Sequence, residues 1–128
     1  MESILLINPP VAKPCEPAAG PAKLAWALRA QGVDCRIYDA SIDGILGLLQ
    51  QPITVDDTWS RRALAGRAAN IDALRSPDLY RNRDRYKRAV MDTNRALHMV
   101  GLEFDAALSL SNYGSKALSP VRSADLIR

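Results

Sequence analysis

The stretch ILLINPP, residues 4–10, decides the fold class. Its four consecutive apolar residues read as a strand buried on both faces, the pattern of a parallel sheet covered by helices. The strand runs directly into Asn8, Pro9 and Pro10, and the loop beyond also holds Pro14 and Pro17. Proline fixes φ and removes an N–H, so this loop is stiff, extended and poor in donors. Gly20-Pro21 then opens a helix, with the proline at a first-turn position that needs no N–H. Leu24, Ala25 and Leu28 share one face of that helix, and Gly32 supplies a left-handed stop. Residues 33–38 return as a second strand, ended by Asp39. Strand, helix and strand in this order make a βαβ unit with parallel strands and a right-handed crossover. Ligands of such sheets bind beyond the carboxyl ends of the strands. Asn8, Pro9, Pro10 and Asp39 all fall at that edge.

Outward from this unit, residues 42–49 form a second helix with Ser41 as N-cap and Pro52 beyond its end. Trp59, Ala63, Leu64, Ala68, Ile71 and Leu74 recur at helical intervals over residues 58–75. Ser76-Pro77 has the order of an N-cap and a first-turn proline. Tyr86, Val90, Thr93, Leu97 and Val100 make one stripe of a long helix that Gly101 should stop. Residues 56–101 thus read as a helical hairpin inserted into the α/β unit. Residues 106–110 would be a third strand, and Ser119-Pro120 would open one more helix, inside which the sequence ends. The expected architecture is one α/β domain over residues 1–128: part of a flavodoxin-like, Rossmann-type parallel sheet of order 2-1-3, with the inserted hairpin.

Composition narrows the function classes. The 128 residues are 48% hydrophobic and 24% charged, ordinary for a soluble globular chain, and only 5% aromatic, which disfavours a base-stacking surface. No apolar run approaches the ~18 residues of a membrane span. Glu2 before a short strand is no signal peptide, so a cytoplasmic location is expected. Cys15 and Cys35 match no metal spacing, and Cys35, within a strand, reads as a small buried hydrophobe. Neither G-x-G-x-x-G nor a P-loop lysine occurs.

The net charge of +3 is unevenly spread. Residues 61–95 carry ten Arg and Lys against four Asp, a net +6, so the rest is net −3. Clustered arginines suggest phosphate contacts. Here they alternate with aspartates, and Asp84 and Arg88 lie at i, i+4, which favours a salt-bridged or docking face over nucleic acid. Trp59 and Tyr80 at the hairpin's ends would anchor such a contact or pack in the core. His98, the only histidine, has no neighbouring ligand or base.

The strand ending in INPP, the proline-rich loop, GPAKLAWALRAQG and CRIYDAS together resemble the N-terminal cobalamin-binding domain of radical SAM enzymes. EFDAALSLS is similar to that family's third strand. The likeness covers residues 4–40 well and 104–111 loosely, and the helical insertion lies outside it. It implies a cobalamin site lined by Asn8, Pro9, Pro10, Gly20, Asp39 and Ser109, with no catalytic residue. The family's D-x-H-x-x-G motif, aligned on Gly20, finds Pro17 for its histidine and Cys15 for its aspartate, so a lower histidine ligand to cobalt is lacking. The C-x-x-x-C-x-x-C triplet is also absent. The resemblance therefore implies a fragment without its own catalysis. The iron–sulfur cluster and S-adenosylmethionine would belong to a downstream radical SAM domain, the implied partner. The alternative is a cofactor-free interaction module that uses its basic hairpin to bind protein or nucleic acid. An open sheet edge would also favour a homodimer.

Overall fold

The computed structural model describes residues 3–9, 13–115, 117 and 122–125. The opening βαβ unit forms as the sequence dictates. Strand β1 (Ile4–Asn8) leads through the loop to helix α1 (Ala19–Ala30), and strand β2 (Cys35–Asp39) returns parallel to β1, with Ile4 opposite Cys35 and Asn8 opposite Asp39. Gly32 takes φ +76°, the left-handed conformation that ends α1. The Cys35 thiol is buried and donates to Ala25 O at 3.4 Å, so α1 covers the sheet face that carries Cys35. Of the three residues assigned to the inner face of α1, Ala25 is buried and Leu28 half-buried, whereas Leu24 points outward.

Helix α2 (Ala40–Leu49) starts two residues earlier than the Ser41 cap would place it. Asp39 is the cap: its carboxylate accepts from the Ser41 and Ile42 amides, both at 3.1 Å. The next apolar stripe makes two helices, α3 (Thr58–Ala65) and α4 (Arg67–Leu74), which meet at Gly66. Ser76-Pro77 opens a short 3₁₀ turn (Pro77–Arg81) rather than the long helix. That helix, α5 (Arg83–Glu103), is capped instead by Asn82, whose side chain accepts from Arg85 N at 3.0 Å.

Gly101 does not stop α5. It lets β3 (Ala106–Leu108) lie against the helix: a Cβ at position 101 would collide with Ala106 O. Strand β3 then doubles back onto β4 (Tyr113–Ser115) as an antiparallel pair. The expected three-stranded 2-1-3 sheet is therefore corrected to two separate two-stranded sheets, β1–β2 parallel and β3–β4 antiparallel. Two local causes act together. The helix ends only two residues before β3, with Asp105 at φ 49°, which pins the strand to α5. The Ser109 hydroxyl then accepts from Asn112 N at 3.0 Å and closes a tight turn, so β3 pairs with β4. The helix expected from Ser119-Pro120 falls on residues outside those described.

The main core is helical. Ile45 and Leu49 of α2, Leu64 of α3, and Ala96, Leu97 and Val100 of α5 close around Ala106 and Leu108 of β3. Strand β1 contributes no side chain to this cluster. Instead of being buried on both faces, Leu5 and Ile7 are each 57% exposed. No helix among the described residues is long and apolar enough to cross a membrane.

Candidate functional site

The carboxyl edge of the parallel pair is a clasp. Asn8 is buried and its Nδ2 donates to Asp39 Oδ1 at 3.1 Å. That same oxygen caps α2, so strand register, loop entry and helix start are tied through one carboxylate. Asn8 Nδ2 and Asp39 Oδ1 are thereby engaged within the protein. Pro9 follows, exposed, and Pro10 lies outside the described residues. Gly20 is exposed in the first turn of α1, with open space where a Cβ would stand. Ser109 is occupied in its turn with Ser111 and Asn112. Asn8 and Asp39 are thus brought together, while Gly20 and Ser109 sit on other elements.

A cleft of about 610 Å³ lies between α2, α4 and α5. Ile45, Leu46 and Leu49 of α2, Leu74 of α4 and Val90 of α5 form its walls, and Pro14 and Cys15 of the loop after β1 form part of its rim. Thr93 also lines the cleft. It is buried, and its Oγ1 has no hydrogen-bond partner among the described residues. Sequence reading counted Thr93 as one step of the α5 stripe; a lone hydroxyl within an apolar stripe was the available signal.

The basic helices are organised by a different cluster. Arg95 lies over the Trp59 ring at 4.8 Å, donates from Nε to Ser60 Oγ at 2.7 Å and pairs with Asp57 at 3.1 Å. Trp59 Nε1 donates to Asp92 Oδ1 at 3.2 Å, and Arg62 stands 3.8 Å from the same oxygen. Hydrogen bonds from Ser60, and after them the Arg95 guanidinium, hold the Asp57 carboxyl down at about 2. This cluster ties α3 to α5. Asp84 and Arg88 do not pair; Asp78 and Arg81 do, at 3.7 Å. Tyr80 stacks at 5.4 Å on Tyr86, with its hydroxyl on Leu74 O. His98 is exposed on α5, and no group of three or more metal-ligating side chains occurs among the described residues.

The fourth feature is the uncovered sheet. Leu5, Ile7 and Tyr38 share the β1–β2 face opposite Cys35, with Tyr38 44% exposed. The Tyr38 hydroxyl donates to Asp43 at 2.6 Å, which raises its pKa above the ordinary phenol value. The second edge of β1 has no partner strand among the described residues. Ile4 N reaches Asp34 O at 3.0 Å, so by strand alternation the Leu5 and Ile7 amides point to that open edge.

The described residues do not form a seat for cobalamin. With β3 paired to β4, no slot exists between a first and a third parallel strand. Asn8 and Asp39 are bound to each other, and a cleft of about 610 Å³ suits a drug-sized molecule rather than a corrinoid. No family model, curated protein or solved structure matches the chain.

Proposed function

We propose that the chain is a non-catalytic docking module of the radical SAM N-terminal type, which keeps the opening βαβ unit of a cobalamin domain without cobalamin. Its partner in this reading is the iron–sulfur catalytic domain that such enzymes carry. The observation that supports it is the bare sheet: Leu5, Ile7 and Tyr38 on one uncovered face, beside a strand edge with no partner among the described residues. Contiguous exposed apolar surface of this kind marks interaction sites, and an open edge offers main-chain hydrogen bonds to an added strand.

The test is isothermal titration of the chain against the catalytic domain as a separate polypeptide, with hydroxocobalamin titrated in parallel. The expected result is binding that a Leu5→Asp, Ile7→Asp double variant weakens by at least about tenfold, roughly 1.4 kcal/mol. An Arg85→Glu, Arg88→Glu variant should leave it unchanged. Circular dichroism checks that both fold, as substitutions at exposed positions should. Loss of binding through the arginines alone would replace this reading with the basic-hairpin module. Co-elution of hydroxocobalamin with a shifted spectrum would overturn its cofactor-free part.

A further inference from the structure

The cleft between α2, α4 and α5 shares no residue with the bare sheet face, and its chemistry is of one sign. Its walls are largely apolar, with Tyr80 and Tyr86 beside the aliphatic residues, and no aspartate or glutamate lines it among the described residues. Arg75 stands on its lining, and its guanidinium makes no ion pair or hydrogen bond with the described residues. Asn94 lines it too; its Oδ1 is taken by the Leu110 amide at 2.8 Å, which leaves the NH₂ group as a donor. Thr93 adds a buried hydroxyl without a partner among the described residues, an arrangement that is destabilising when nothing satisfies it. The unpaired polar groups of the cleft can therefore all donate, and the only charge is positive. A volume of about 610 Å³ lies in the range of small-molecule sites.

From this arrangement we infer that the cleft binds a small amphipathic anion, an aliphatic carboxylate whose chain lies against α2 and α4 and whose head pairs with Arg75. A guanidinium presents parallel N–H groups that match a carboxylate. The aliphatic side chains of the walls favour burial of the chain, methylene by methylene.

Cys15, an exposed free thiol on the rim, supplies the readout. The rate of its alkylation by iodoacetamide is followed by mass spectrometry against rising decanoate, kept below its micellar range, with decanamide as the neutral counterpart. Cys35 is buried and serves as the unreactive internal reference. Decanoate is expected to protect Cys15 at concentrations about tenfold lower than decanamide does. Arg75→Gln should bring decanoate to the level of the amide; Arg75 is exposed, so the fold should persist. Absence of protection by either compound overturns the site. Equal protection by both, or a decanoate response unchanged by Arg75→Gln, overturns the anionic head.

Discussion

Gly101→Ala tests how β3 is held. Alanine is the better helix former by about 1 kcal/mol, so propensity alone favours the substitution. Space opposes it: the new Cβ would collide with Ala106 O and meet Leu108 Cγ at 3.2 Å and Leu108 N at 3.3 Å. Two of those atoms are backbone and cannot rotate away, so β3 must lift from α5. Val100, Ala106 and Leu108 belong to the main core beneath that contact. Overpacking of this kind costs about 1–3 kcal/mol, and a backbone clash belongs at the upper end. The net expectation is a loss of about 2 kcal/mol. Gly47→Ala is the control, because nothing lies within 4 Å of its Cβ on α2; it should gain about 0.5–1 kcal/mol. Urea unfolding with m unchanged measures both. A Gly101→Ala protein as stable as the parent would refute the close approach of β3 to α5.

The other predictions follow from particular contacts. Asp39→Ala removes the cap of α2 and the acceptor for Asn8, and should cost about 1–2 kcal/mol in urea unfolding. Asp39→Asn, which keeps an acceptor oxygen, should cost less. Asp57 is held at about 2, below its unfolded value of 3.8. A depressed carboxyl stabilises the fold fully above the unfolded value, and that contribution is lost as pH falls through about 2. Carboxyl ¹³C NMR should place the Asp57 midpoint near 2, and a midpoint near 3.8 would contradict the Ser60 and Arg95 contacts. Arg95→Met removes the cation over Trp59; in a Trp26→Phe background, Trp59 emission should shift and stability should fall by about 1 kcal/mol.

The local parts of this fold were legible because each rests on a short-range rule. Gly32 ends α1 in the left-handed region, and the parallel pairing of β1 and β2 follows from the connection between them. The helical character of residues 58–100 shows in their apolar period. Long-range choices were not legible. Gly101 has the residue type of a helix stop, yet its lack of a side chain serves the strand packed on it. Gly66 lies within the apolar stripe of residues 58–75, yet it marks a break between two helices. The run ILLI carries the pattern of a doubly covered strand, but cover must come from other elements, and here the core formed without it. Asn8 and Asp39 were placed correctly at the strand ends; that they would bond each other depends on register, which a single strand does not reveal.

The docking reading rests on the open edge of β1, and amide hydrogen exchange addresses it residue by residue. In the chain alone, the Leu5 and Ile7 amides should exchange fast, while the Ile4 amide, bonded to Asp34 O, is slower. With the iron–sulfur catalytic domain added, the account predicts strong slowing at Leu5 and Ile7 and little change along Arg83–Glu103. A complex that protects the arginine-rich helix and leaves Leu5 and Ile7 exchanging as before would contradict it.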